Sequence, residues 1–424
     1  MGMKAYPAYK DSGIPWFGKV PKHWHIIKLR NLLHKFSQKG NPDLPLLSVV
    51  RERGVILRDV TSKEENHNFI PDDLSKYKVL LDGQFVINKM KAWQGSYAVS
   101  TLTGIVSPAY FIYNTDYSNL LPRFFNVAIR SKAYINFFNQ SSDGVRIGQW
   151  DLDETKMRNI PFLVPTKEEQ QAIVAYLDKK CAEIEELISR RQAIIERLKE
   201  LKQSIIAEAV TKGLNPEAPM KESGVSWLGS IPEHWRIKRF GTVFTERKTK
   251  VSDKVHPPIS VTKLGILPQL ETAVKTDNGD NRKLVLKGDF VINSRSDRKG
   301  SSGISPYNGS VSLISLVLIP EAEWNHSYIH HLLRSVPFQE EFYQKGHGIV
   351  ADLWTTRYTD IASAYLPEPP YEEQQAIVSY LDKKCAAIDE LVSRHEQIIE
   401  KLKELKTATI ADVVTGKVDV RESI

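Results

Sequence analysis

Cysteine is nearly absent from the 424 residues: Cys181 and Cys385 are the only two. That excludes a disulfide framework and a cysteine-rich zinc site. Long apolar runs are missing too, since no window offers about 18 uninterrupted apolar residues and Met1–Lys10 lacks the apolar centre of a signal peptide. No membrane span is expected, and a cytoplasmic location follows. There is no GxxxxGK[ST] loop, so ATP-driven work is not expected of this chain. His23, His25, His330 and His331 have no cysteine or carboxylate at ligand spacing, so neither a metal nor a cofactor is expected. Charge of one sign is in only mild excess. Lys and Arg number 58 against 51 Asp and Glu, and the net charge of +7 suits a polyanionic partner without specifying one.

What is present is a chain written twice. Hydrophobic residues make up 41% and charged residues 26%, enough at this length for two or three domains with buried cores. The second half lies over the first with a period of about 204 to 211 residues, as a search for internal repeats shows. SGIPWFGKVPKHW at 12–24 returns as SGVSWLGSIPEHW at 223–235, with Trp16 over Trp227 and Trp24 over Trp235. FVIN at 85–88 returns at 290–293, each copy preceded two positions earlier by a glycine, Gly83 and Gly288. Gly144 and Trp150 fall over Gly348 and Trp354. EEQQAIVAYLDKKCAEIEELISRRQAIIERLKELK at 168–202 returns nearly intact at 372–406.

Similarity along the repeat is uneven. Residues 40–140 and 250–345 share pattern but little sequence, so each is a module of one shape with its own surface. Leu80–Asn88 and Val311–Ile319 read as strands bounded by Gly, Asn, Asp and Ser. A single helix is expected to close each module, over Leu121–Asn139 and Ser327–Lys345. In the preserved block, Ile173, Leu177, Ile184, Leu187, Ile194, Leu198, Leu201 and Ile205 fall three and four apart, a coiled-coil seam matched in the second copy. Two long helices with such a stripe should pack together, and the two-fold repeat favours an antiparallel pair. Prolines and then acidic residues open each helix, and Gly213 and Gly416 end them. The tail at 418–424 repeats the linker near 219–224, which the N-terminus resumes at Lys10–Gly13, so the termini should lie close together.

Two variable modules, each followed by a similar long helix, resemble the specificity subunit of type I restriction-modification systems. The residues that carry the resemblance are SGIPWFGKVPKHW, LLDGQFVINKMKAWQG at 80–95, SPAYFIY at 107–113 and EEQQAIVAYLDKK at 168–180. The second module departs from it: Val311–Val317 stands in place of the SPAYFIY strand, and Val350 in place of Arg146. The resemblance implies an α+β fold in which two mixed α/β target recognition domains are separated by an antiparallel coiled coil, pseudo-two-fold and cyclic. The expected boundaries are 1–165 and 214–370 for the recognition domains, 166–213 and 371–416 for the helices, and 417–424 for the tail. It also implies a non-catalytic reader of a bipartite sequence in double-stranded DNA. Its partners would be two methyltransferase subunits docked on the helices and, through the complex, restriction and translocase subunits.

The residues supply no competing catalytic site. Glu368-Pro-Pro-Tyr371 is superficially like the amine-holding element of an adenine methyltransferase, but it begins with Glu and its repeat partner is Val164-Pro-Thr-Lys167. Pro71-Asp72 with Glu154-Thr-Lys156 mimics a nuclease motif that the second copy lacks. Candidates for DNA contact lie in the turns after FVIN: Asn88, Lys89, Lys91, Trp93 and Gln94, then Asn293, Ser294, Arg295, Ser296, Arg298 and Lys299. Arg146 and Gln149, ahead of Trp150, extend the set. Arg and Lys reach guanine edges or phosphates, and Asn or Gln pairs with adenine. Solvated charged turns are the plainer account of the same residues. The recurring tryptophans Trp16, Trp24, Trp227 and Trp235 are expected to pack each module onto its linker. A coiled-coil scaffold whose modules bind proteins remains open as an alternative, as does an autonomous DNA enzyme.

Overall fold

A computed structural model describes residues 5–58, 73–146, 149–269, 279–348 and 354–422, with the side chains at 145, 146 and 149 outside the description. Contacts divide the chain into two compact units. The first is Met1–Arg191 with Gln397–Ile424, and the second is Gln192–Glu396.

In the first unit, Leu33–Phe36, Tyr110–Thr115, Phe85–Asn88 and Tyr97–Val99 form an antiparallel sheet in that spatial order. The FVIN strand sits inside the sheet, and its alternation sets the two faces. Phe85 and Ile87 join Tyr97 and Tyr113 in a core with the helices, whereas Val86 joins Ile112, Leu47, Val49, Leu80 and Val106 in a second core on the other face. In the second unit, Phe244–Glu246, Ser315–Pro320, Phe290–Asn293 and Ser302–Ile304 repeat the same order. There Phe290 and Ile292 face the helices, and Val291 faces Ile259, Ile266, Val285, Val311 and Val317.

Two sequence expectations change in detail. Leu80–Asn88 is not one strand: Lys78–Leu80 and Phe85–Asn88 are separated by a turn in which Gly83 has φ +80° and the Gln84 Oε1 accepts from the Leu81 amide at 2.8 Å. Val311–Ile319 likewise divides into Gly309–Val311 and Ser315–Pro320. Nor does one helix close each module. Pro122–Ile129 and Lys132–Gln140 are separated by an extended Ser131, and His326–Arg334 and Val336–Gln344 by an extended Ser335. Pro337 explains the second break, because it cannot donate into the preceding ladder. No proline marks the first.

The long helices are Lys167–Lys212, of 46 residues, and Tyr371–Val414, of 44. They pack in opposite directions within each unit. In the first unit, Ile173, Val174 and Leu177 at the start of one helix share a core with Val413 and Val414 at the end of the other. In the second, Ile377, Leu381 and Cys385 meet Ile206, Ala209 and Val210. Repeat-equivalent ion pairs agree with this: Glu185 with Lys406 at 2.5 Å in the first unit, and Asp389 with Lys202 at 2.7 Å in the second.

The buried stripe keeps the first part of the expected seam, Ile173, Leu177 and Ile184 with their counterparts Ile377, Leu381 and Ile388, and departs from it beyond. Ile173, Ile184, Ile195 and Ile206 are buried, as are Ile377, Ile388 and Ile399, whereas Leu187, Ile194, Leu201, Leu391, Ile398 and Leu405 are exposed. Spacing of eleven keeps a residue on nearly the same face of an α-helix, and spacing of seven drifts the other way, so the seven-residue stripe turns outward.

The N- and C-terminal segments meet in the first unit. Val418 and Val420 share a core with Tyr6 and Trp24, and the Arg421 guanidinium lies 5.1 Å from the Tyr6 ring centre. Tyr9–Asp11 pairs with Lys19–Pro21 as Met220–Glu222 pairs with Ser230–Pro232. The cyclic reading of the sequence thus has a structural counterpart.

Candidate nucleic-acid interface

Each module is fastened to the start of a long helix by the same groups. Trp24 and Trp235 are fully buried. The Trp24 Nε1 donates to Glu169 at 3.4 Å and the Trp235 Nε1 to Glu373 at 2.9 Å, while His23 and His234 meet the same carboxylates at 2.9 and 2.8 Å. The neighbouring Gln170 accepts from the Leu121 amide at 2.7 Å, and Gln374 from the Asn325 amide at 2.9 Å. These bonds give the recurring EEQQ a positional role that sequence reading missed. Trp227 packs edge-on against Phe338 at 5.8 Å, but Trp16 is half exposed, so the expectation of packing fails for that residue.

On this frame the turns after FVIN stand at one end of each sheet. In the first module Asn88 is half-buried and its Nδ2 donates to the Tyr110 hydroxyl at 3.2 Å. Lys89 pairs with Asp151 at 3.0 Å, and Lys91 is exposed. A 3-10 turn, Ala92–Gln94, leaves Trp93 and Gln94 half-buried. The Trp93 ring lies 4.9 Å from that of Trp150, joining the turn to the hairpin Ser142–Arg146 and Gln149–Leu152. Arg146 and Gln149 are backbone partners there, and their side chains lie outside the described residues.

The second module builds the equivalent turn differently. The Asn293 Oδ1 accepts from the Arg295 amide at 3.1 Å. Ser294 is buried, donating to the Ile314 carbonyl, which leaves it no face toward solvent. Arg295 forms two bonds to Asp297 at 2.9 and 3.0 Å, Lys299 pairs with Glu340, and Arg298 is exposed 3.7 Å from Asp297. The Ser296 amide donates to the Trp354 carbonyl at 2.9 Å, so here too the turn rests on the segment carrying the second tryptophan. Val350 and Pro71-Asp72 lie outside the described residues.

Exposed ion pairs contribute little to stability, so a polyanion can take over such cations at small cost. The first module adds a cluster that the sequence scatters: Lys78, in a strand, is held below the usual lysine range by burial and then by Lys39 and Lys35. Glu154, paired with Lys35 at 2.9 Å, opposes this shift, so the cluster holds a carboxylate among its cations. In the second module Lys283 and Lys248 share Glu246, at 3.0 and 3.5 Å.

Both thiols, Cys181 and Cys385, are free and raised above the usual range by burial. Among the described residues no three His, Cys, Asp or Glu side chains gather as a metal site, and no helix is long and apolar enough to cross a membrane.

No protein-family model matches the chain. It is 21% identical over 432 residues to a Methanocaldococcus jannaschii protein described as a type I restriction enzyme MjaX specificity subunit, covering 95% of this chain and 96% of that one. It superposes with a TM-score of 0.63 and 16% identity on a chain solved in work on complex assembly and conformational transition of the type I R-M system, covering 93% and 98% of the two chains. The HsdS subunit from Thermoanaerobacter tengcongensis gives a TM-score of 0.46 at 18% identity, covering 94% and 98%. The sequence resemblance to a type I restriction enzyme specificity subunit thus covers 95% of the chain, and the fold resemblance to a chain from a type I R-M system covers 93%.

Proposed function

We propose that this chain is the sequence-reading subunit of a type I restriction-modification complex, each module recognising one half of a bipartite site in double-stranded DNA. The observation that carries this reading is one sheet topology built twice, ending in equivalent turns that carry different side chains: Lys89, Lys91, Trp93 and Gln94 in one, Arg295, Asp297, Arg298 and Lys299 in the other. A constant frame with a variable contact set is what reading two different half-sites requires. The similarity to the MjaX specificity subunit over 95% of the chain supports it.

Methyl transfer, and cleavage driven by ATP, belong in this reading to partner subunits, and the complex works in the cytoplasm. The recognition domains correspond to 1–165 and 214–370, joined by the helices at 166–213 and 371–416. Each unit exposes a repeat-equivalent set of large apolar residues on the helices, Leu187, Ile398 and Leu405 in the first and Leu391, Ile194 and Leu201 in the second. Two equivalent surfaces of this kind suit two copies of a methyltransferase subunit.

Duplex binding by the purified chain with its methyltransferase subunit tests the proposal. Affinity should fall linearly with the logarithm of salt concentration, with a slope set by the phosphates contacted. No duplex binding at low salt, or binding indifferent to salt, would contradict it.

A further inference from the structure

A β-hairpin lies beside the candidate turn in each unit. Leu47–Val50 pairs with Gly54–Leu57 in the first, and Ile259–Thr262 with Gly265–Pro268 in the second. Their tips, Arg51-Glu52-Arg53 and Lys263-Leu264, differ in both sequence and length. Both tips end in a glycine held in the left-handed region, Gly54 at φ +74° and Gly265 at φ +114°, which lets so short a connection close.

An arginine at the end of a helix reaches each tip. Arg130, which follows Pro122–Ile129, donates through Nη2 to the carbonyls of Arg51 at 2.8 Å and Glu52 at 3.0 Å. Arg334, the last residue of His326–Arg334, donates through Nη2 to the Lys263 carbonyl at 2.7 Å and through Nη1 to that of Ser302. Burial holds both guanidinium groups below the usual arginine range. Desolvating such a group is costly, and its partners here are main-chain carbonyls, so what each arginine fixes is the course of the backbone.

What the tips are fixed against is the candidate turn. Gly95 and Gly300 close the turns after FVIN, and a Cβ placed on Gly95 would lie 4.0 Å from the Arg51 Cγ, and one on Gly300 3.8 Å from the Lys263 Cγ. The first tip residue is a long cation in both units, with its stem laid along the end of the turn. Arg51 and Lys263 are exposed, and among the described residues the ion pair of Arg51 is a loose one, 3.8 Å from the exposed Glu52.

This four-part arrangement of turn glycine, tip cation, tip glycine and helix-end arginine recurs in two modules whose sequences have diverged. From it we infer that the hairpin tip is a second DNA-contacting element of each module. Arg51 and Lys263 are its contacting cations, and Arg130 and Arg334 are positioning residues that hold the tip against the turn. The inference rests on the DNA-reading function proposed above. Placed beside a base-reading turn, a single cation on a flexible stem suits a phosphate, which sets the register of the module on the duplex.

The test uses the full chain with its methyltransferase subunit, on a duplex carrying the methylated sequence mapped in cells and on duplexes altered in one half. Wild-type complex that shows no preference among these duplexes defeats the DNA-reading function itself. Given that preference, Arg51→Ala should lower affinity severalfold and reduce the salt slope by about one, leaving the choice at the other half unchanged. Lys263→Ala should do the same in the second module. Arg130→Ala should cut discrimination at its own half-site by at least about fivefold, with partial recovery in Arg130→Lys. A purely structural arginine would lower the unfolding midpoint and leave discrimination intact. That result, or an unchanged salt slope in Arg51→Ala or Lys263→Ala, overturns the inference.

Discussion

Position 84 and its repeat counterpart 289 show how one frame is completed with different chemistry. In the first module Gln84 donates to Asn114 at 2.7 Å. In the second, the almost fully buried Asp289 receives two bonds from Arg247, at 2.7 and 2.9 Å, and one from the Leu286 amide at 2.8 Å. Removing Arg247 leaves a buried carboxylate unpaired, so Arg247→Ala should destabilise the second unit by about 3 kcal/mol, measured by denaturant unfolding. Gln84→Ala, which strands no charge, should cost roughly 1–2 kcal/mol. A second residue-scale expectation concerns acid. Burial, Arg334 and His331 push the His330 pKa down to about 3, and its Nδ1 accepts from the Ile304 amide at 3.3 Å. Its folded pKa lies below its unfolded one, so its contribution is present above pH about 6.5 and is lost as pH falls toward 3. His331 is lowered too, by burial against the opposing pull of Asp382. Thermal unfolding of His330→Gln should therefore depend less on pH between about 6.5 and 4 than that of the wild type. Neither feature was legible in the sequence, because Arg247 lies far from Asp289 along the chain and His330 reads as an ordinary helix residue.

At the scale of elements, legibility followed periodicity. The long helices, their opposite directions and the FVIN strands could be read because their apolar patterns are strong and repeated. The turns that split Leu80–Asn88 and Val311–Ile319 could not, since each hides inside an apolar run, and Ser131 breaks a helix without a proline. The seam was legible over Ile173, Leu177 and Ile184 and their counterparts but not beyond, for a physical reason: isoleucines eleven apart and aliphatic residues seven apart run along the same helix, and sequence alone does not say which set is covered. Substitution separates them. Ile195→Ala or Ile399→Ala should cost about 2–4 kcal/mol in the chain alone, whereas Ile194→Ala or Leu201→Ala should cost under 1 kcal/mol there. If the exposed set is a docking surface, the second pair should instead weaken binding of the methyltransferase subunit in a titration. Equal stability losses in both pairs would return the seam to its seven-residue phase. Of the candidate site, the position of the turns after FVIN was legible, but the burial of Ser294, the Trp93–Trp150 contact and the hairpin tips depend on segments distant in sequence.

For the molecule as a whole, the repeat has consequences for both binding and assembly. Repeat-equivalent helix surfaces predict that saturation with methyltransferase subunit gives a native mass of two copies per chain, and a mass of one copy would count against equivalence. The central claim is that one frame reads two half-sites with two independent contact sets. It is tested most directly by replacing residues 40–140 with the corresponding region of a related chain of different specificity, and mapping the methylated sequence in cells that carry the hybrid complex. The account predicts that one half of the bipartite sequence changes while the other is retained. A hybrid that methylates and has changed both halves, or neither, would contradict it.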